Sequence, residues 1–306
     1  MFDATPPSDH GDNLSSFDLP DVRPRNPSDK DLQRAEGSGR IVLSYSDKGT
    51  RVMDVFQRAP IRIMFPRTAG GAVEEAVLIN TAGGIAGGDR LETGVTALAN
   101  SSIAITSQAA EKVYRALNEP ARITTRLKAY EVAKLAWLPQ ETIVFNWGRL
   151  CRETEIELSS TAEVLALEWL VLGRTAHGEE MVGGHITDSW RVKKDDRLIW
   201  ADSFRITDET FAHLHRKALL SNCRAVGTLI YSGPIFARRC SLPGVPMRRD
   251  IGWRAYHRSL CREGTLRLAG RLAQFSRAIQ PRAGRRPFPG AEDVVLLKPV
   301  MERRRS

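Results

Sequence analysis

A chain of 306 residues, 42% hydrophobic and 26% charged, is long enough for one large domain or two ordinary ones, with a sizeable core either way. No run of about 18 apolar residues is present, and the N-terminus lacks the basic region and apolar core of a secretory signal, which sets aside membrane-spanning and exported classes. The net charge of +9 suggests nucleic acid only until it is mapped: residues 241–306 carry 15 Lys+Arg against 5 Asp+Glu, leaving 30 basic and 31 acidic residues in 1–240.

Residues 1–40 are rich in Pro, Asp, Ser and Gly and hold only isolated apolar positions, so they are expected to form a disordered arm. A body over 41–231 follows. IVLSYS, RVMDVFQ and IRIMF read as short strands between polar or proline-containing turns. An apolar run, Ala76 to Ile79, then leads into four glycines in six positions: Gly83, Gly84, Gly87 and Gly88, with Asp89 and Arg90 behind. The spacing GG-x-x-GG before a strand does not match the dinucleotide fingerprint. It is not a P-loop either, because Asp89 stands where the lysine belongs. A tight double turn with closely packed backbones is the simpler reading.

Strand signals continue at short spacing. RITTRLKAY, VAKLAWL and ETIVF are rich in β-branched and apolar residues. In CRETEIELSS, Glu153, Glu155 and Glu157 take one face and Thr154, Ile156 and Leu158 the other, the pattern of a half-buried strand with a solvated acidic face. VLALEWLVL is nearly continuous apolar and fits a buried strand. SWRV and RLIWADSFRI flank KKDD as a hairpin. Thr207 or Asp208 caps a helix with Phe211, Leu214, His215 and Ala218 on one face, ending near Ser221 and Asn222. GTLIYSG is one more strand. No repeat of 20–50 residues is visible. The pattern predicts a mainly β fold of many short, largely antiparallel strands with one or two flanking helices. From residue 232 to 306 periodicity fades, and 241–306 has 14 Arg to one Lys, the character of a divergent extension or of a shifted reading frame.

Chemistry-bearing residues are scattered. Cys151, Cys223, Cys240 and Cys261 lack C-x-x-C spacing and suit reduced thiols of a cytoplasmic protein. His213 and His215 point about 200° apart on a helix and do not share a metal. His177 and His185 flank EEMVGG, where a loop brings them together for a transient metal or leaves them as ordinary polar residues. Asp89, Glu111, Glu141, Glu168 and Glu179 are carboxylates beside apolar residues; a pair at about 5–9 Å would suit glycosidase-type acid/base work. No G-x-S-x-G elbow accompanies them. Trp137, Trp147, Trp169, Trp190 and Trp200 suit the core, with a share available as interface anchors.

Three blocks in order carry a resemblance. NTAGGIAGGDRL, a strand, then TSQAAEKVYRA supply Asn80, Thr81, Gly83, Gly84, Gly87, Gly88, Gln108, Glu111, Lys112 and Tyr114. WLPQETIVFNWGRL supplies Trp137, Pro139, Gln140 and Glu141, and ALEWLVLGRTAHGE supplies Glu168, Gly173, Arg174, Gly178 and Glu179. Over roughly residues 40–231 the chain resembles the UreD (UreH) family of urease accessory proteins. The resemblance implies a β-helix-like stack and a non-enzymatic role. Such a protein binds apo-urease and recruits a UreF-type protein and a UreG-type GTPase for nickel delivery. It also implies no tightly bound cofactor and a transient Ni²⁺ route, for which Asp89, Gln108, Glu111, Glu141, Glu168 and Glu179 offer oxygen donors, with hydrogen bonds and ion pairs as their other reading. Two further readings stay open: a β-helical carbohydrate-active enzyme using a carboxylate pair, and a nucleic-acid binder acting through the basic tail.

Overall fold

The computed structural model describes residues 34–66, 74–174, 177–216, 219–220, 224–233, 294–297 and 300–301. The expected arm therefore lies outside the described residues up to Gln33, and most of the 232–306 region does too. Strand β1 (Glu36–Ser46) already begins inside the segment read as arm.

Alternation in the sequence becomes the pleat. In β1 every second residue from Gly37 to Leu43 is buried, which fixes one face inward. β1 forms a hairpin with β2 (Gly49–Arg58), and β3 (Ile61–Met64) pairs antiparallel with β4 (Glu74–Asn80). From β4 onward the chain winds. It crosses to β5 (Arg90–Ala97) in the other sheet and returns to β6 (Ser102–Ser107) beside β4. The next coils comprise β7 (Glu111–Val113), β8 (Ala121–Ala129), β9 (Lys134–Trp137), β10 (Thr142–Val144), β11 (Arg149–Leu158), β12 (Glu163–Leu172) and β13 (His185–Lys194). The hairpin partner β14 (Arg197–Ile206), helix α1 (Asp208–Phe211) and β15 (Ala225–Ser232) follow, with β16 (Val294–Leu297) and β17 (Val300–Met301) both on β15.

Two sheets result. One runs β14-β13-β11-β8-β5-β1-β2 and the other β16-β15-β12-β9-β6-β4-β3, with β7, β10 and β17 attached to the second. The mainly β, helix-like stack implied by the resemblance is what the chain forms. Its strands, however, are not largely antiparallel. β1, β5, β8, β11 and β13 run parallel, as do β4, β6, β9 and β12, and antiparallel pairs sit at the ends of the stack. The reason lies in the connections. Short links that read as hairpins instead turn a corner into the opposite sheet, so a strand's neighbour is one coil away and points the same way.

A repeat exists in space that the sequence does not display. Arg90 is in register with Arg122, Ala121 with Leu150 and Arg149 with His185, so successive coils differ in length as well as composition. Only the inward positions need agree. Ile41, Val95, Leu127, Ile156 and Val192 stack in register as one buried aliphatic column, and Ala76, Ile105, Trp137 and Ala166 form its counterpart in the second sheet. The near-continuous apolar run is strand β12, buried along almost its whole length.

The KKDD hairpin is a two-residue turn in which Asp195 and Asp196 both have positive φ (47° and 60°), the I′ geometry that matches strand twist. The helix after Thr207 is shorter than its periodicity predicts. Thr207 caps a single turn, and His213, Leu214, Arg216 and Leu219 then donate to carbonyls three residues back. A helix this short gains little from its own hydrogen bonds, so burying Phe211 and Leu220 against the stack sets the path. No helix among the described residues is long and apolar enough to cross a membrane.

Candidate functional site

The residues singled out by motif gather in two places: a stacked corner on the outside of the coils, and a charged cluster inside them.

At the corner, successive loops hydrogen-bond edge to edge. Ile85 N–H donates to Lys112 O (2.7 Å), Phe145 N–H to Val113 O (2.9 Å), Ala116 N–H to Trp147 O (3.1 Å) and Trp147 N–H to Gly183 O (2.9 Å). Backbones this close leave no room for side chains. A Cβ on Gly87 would lie 2.5 Å from Glu119 O, and one on Gly84 would enter the Tyr114 ring at 2.4 Å. The glycines are the packed double turn, not a phosphate cradle. Asp89 is spent on the same architecture: its buried carboxylate accepts from Ala35 N–H (2.8 Å) and Ala86 N–H (2.7 Å).

Side chains lace the corner. Asn80 donates to both oxygens of Glu111 (3.1 and 3.0 Å) and Thr81 to Pro60 O. Burial pushes the Glu111 carboxyl above its usual range, against the pull of Asn80 and Lys112. Tyr114 donates to Gly83 O and packs edge-on to Phe145, over which the Arg174 guanidinium sits at 4.1 Å. Arg174 in turn donates to both Glu179 oxygens (2.6 and 3.2 Å), a hydrogen-bonded pairing that draws the Glu179 carboxyl below its usual range. Glu141 contributes its carbonyl to Glu111 N–H, Gln140 takes the Ser107 hydroxyl on its N–H, and Gln108 is exposed. Gly173 and Gly178, which directly precede Arg174 and Glu179, hold positive φ, while Lys112 is exposed.

The interior cluster centres on Arg152, which sequence reasoning passed over. Its Nε and Nη2 donate to Asp188 Oδ1 and Oδ2, each at 2.9 Å. Glu168 Oε2 lies 2.9 Å from the same Nε, an ionic contact; the N–H itself points to Asp188, so Oε2 accepts no hydrogen bond. Glu168 Oε1 accepts from Trp137 Nε1 (2.8 Å) and the Thr154 hydroxyl (3.4 Å). All three charged side chains are buried, at 3 to 4% exposure. Burial alone would lower the Arg152 pKa, but Asp188 and Glu168 hold it well above the ordinary arginine value. Burial raises the Glu168 carboxyl, and Asp188 reinforces burial while Arg152 opposes it. One cation thus faces two carboxylates, with a second buried polar atom, Trp190 Nε1, also lacking a partner.

Arg152 and Asp188 were legible in principle. Both occupy inward registers of alternating strands, Arg152 with Thr154 and Ile156, Asp188 with Ile186 and Trp190. The histidines occupy separate settings. His177 follows Arg174 in an exposed turn, whereas His185 opens β13 beside Arg149, Arg205 and Asp208, where burial and the two arginines lower its pKa. Among the described residues no three His, Cys, Asp or Glu side chains converge as a metal site. Cys151 is a free thiol; Cys223, Cys240 and Cys261 lie outside the described residues. Glu168 and Asp188, the carboxylates that do meet, are sealed from solvent, so a sugar substrate does not reach them.

Residues 35–268 match the UreD urease accessory protein family. The match runs past residue 231, into the region read from sequence as a divergent extension or a shifted reading frame. The urease accessory protein UreD of Rhizobium etli is 41% identical over 203 residues, which span 66% of this chain and 74% of the relative. That of Rhizobium leguminosarum bv. trifolii is 40% identical over the same length, and UreD 1 of Brucella ovis is 39% identical over 209 residues, 68% of this chain and 74% of the relative. A match of this extent places the chain in the UreD family of urease accessory proteins.

Proposed function

We propose that this protein is a non-catalytic scaffold in urease maturation, one that binds apo-urease and recruits UreF-type and UreG-type proteins for nickel delivery. Membership of the UreD family carries the reading. The interior supports it: Glu168, Asp188 and Thr154 place oxygen donors inside the stack without closing a cage, which suits an ion in passage rather than one held. In this reading Ni²⁺ is cargo, and Arg152 neutralises the carboxylates while the path is empty. Glu111 sits at the corner, where hydrogen bonding to Asn80 already occupies its carboxylate, so it shapes the scaffold, and Glu141 joins the same corner through its backbone carbonyl. The protein would work in the cytoplasm, where urease is assembled.

The test is co-purification of apo-urease and a UreF-type partner with the full-length chain, with nickel-dependent urease activity assayed in the same lysates. Capture with activation supports the scaffold. Capture retained but activation lost on Glu168→Gln or Asp188→Asn supports the interior route. Failure to capture either partner overturns the scaffold reading.

A further inference from the structure

The middle of the outer face of the seven-stranded sheet pairs its charges by sign, with an exception at one end. In register across β8, β11 and β13 stand Lys128, Glu157 and Lys193, and beside them Arg126, Glu155 and Arg191. Lys128 contacts Glu157 at 2.9 Å, and Arg126 reaches Glu92 at 3.8 Å. At the other end of the same strands, Arg90 of β5 is in register with Arg122 of β8, two cations on neighbouring strands about 4.8 Å apart in backbone. Like charges so placed repel. Of the carboxylates around them, Glu36, in register with Arg90, bonds Arg58 at 3.5 Å, Glu92 is drawn to Arg126, and Asp89 is held by two backbone N–H groups, while Glu153 stands in register with Thr124. Among the described residues neither arginine has an ion-pair partner. The exception coincides with a cleft of about 280 Å³ lined by Arg90, Arg122, Leu91, Glu92 and Thr124.

We propose that Arg90 and Arg122 form an oxyanion-binding site on this face, for a carboxylate or phosphate group. Two guanidinium forks offer parallel N–H donors to one planar or tetrahedral anion, and the Thr124 hydroxyl adds a donor at the wall. Glu92 at the rim limits how much negative charge the cleft accepts. The site lies apart from the interior cluster and does not depend on the urease reading. The anion is either free in solution or an acidic side chain presented by a partner.

Calorimetric titration of the full-length chain with inorganic phosphate, and separately with N-acetylglutamate, at ionic strength held constant with chloride, tests the site. Saturable binding is expected, weakened at least about tenfold by Arg90→Gln or by Arg122→Gln. Lys193→Gln, which removes a cation already paired on the same face away from the cleft, leaves it unchanged. Cys151, in register with Arg122, gives a second readout. Burial raises the Cys151 thiol while Arg122 pulls it the other way, so a bound anion that screens Arg122 slows alkylation at Cys151 about twofold or more in the native chain but not in Arg90→Gln. Tighter binding of phosphate identifies a free oxyanion, and tighter binding of N-acetylglutamate an acidic side chain. Heat no different from chloride, or equal loss with Lys193→Gln, overturns the proposal.

Discussion

The two faces of β11 carry the same kinds of charge under opposite physics. Outward, Glu155 and Glu157 share Lys193, and Glu157 also meets Lys128, in side chains a quarter to a third exposed. Inward on the same strand, Arg152 meets Glu168 and Asp188 with almost no exposure. Water screens the outer pairs, so each contributes little and is dispensable. The inner ions have lost their hydration, so the cluster holds only while all its members are present. The carboxyl groups register the difference. Burial works against the Glu157 charge, yet the hydrogen bond and charge of Lys128, with Lys193, bring its pKa below the usual range; Glu168 is pushed above it.

Breaking the inner cluster should have the largest effect. Arg152→Met leaves two buried carboxylates without a cation and is expected to destabilise by about 3–5 kcal/mol, read as a fall in the urea midpoint. Adding Glu168→Gln and Asp188→Asn to that variant should recover part of the loss; no recovery would mean the arginine acts by packing alone. Next comes the corner. Gly87→Ala drives a methyl group onto Glu119 O and is expected to cost about 1–3 kcal/mol, with capture of partners falling in parallel. The outer face should respond least. Lys193→Ala is expected to shift stability by about 0.2–1 kcal/mol, and by less still in high salt.

Titration separates the faces by sign. Because the folded pKa of Glu157 is depressed, its contribution is present above the unfolded value and lost as pH falls through the folded one. The advantage of the native chain over Glu157→Gln should therefore shrink on acidification below roughly pH 4.5. Glu168 runs the other way. Its raised pKa makes its contribution full below the ordinary value near 4.5 and lost as pH rises through the folded one, so Glu168→Gln should gain on the native chain as pH rises. Parallel pH profiles for the two variants would erase the distinction between the faces.

Strand content, the inward face of β11, the solvated glutamates and the Asp195–Asp196 hairpin were legible because each depends on neighbours within a few residues. The family signature was legible for the same reason, as contiguous blocks. Of the candidate site, the individual carboxylates could be named but not their company. Asn80 meets Glu111 across 31 positions and Trp137 meets Glu168 across another 31, separations set by coil length. The helix after Thr207 was over-read because periodicity measures an apolar face, not whether packing lets the helix continue.

What the sequence alone determined is which residues face inward, where the chain must turn tightly, and which family the chain resembles, since pleat alternation, glycine density and motif order are written locally. The tertiary structure decided that the strands coil in parallel, that Arg152, Glu168 and Asp188 share one dry interior, and that Arg90 stands beside Arg122. Arg152 with Asp188, and Arg90 with Arg122, join residues one whole coil apart, and Arg152 with Glu168 joins strands of opposite sheets. Coil length is fixed by how corners stack against one another, a property of the assembled backbone that no single segment of sequence carries.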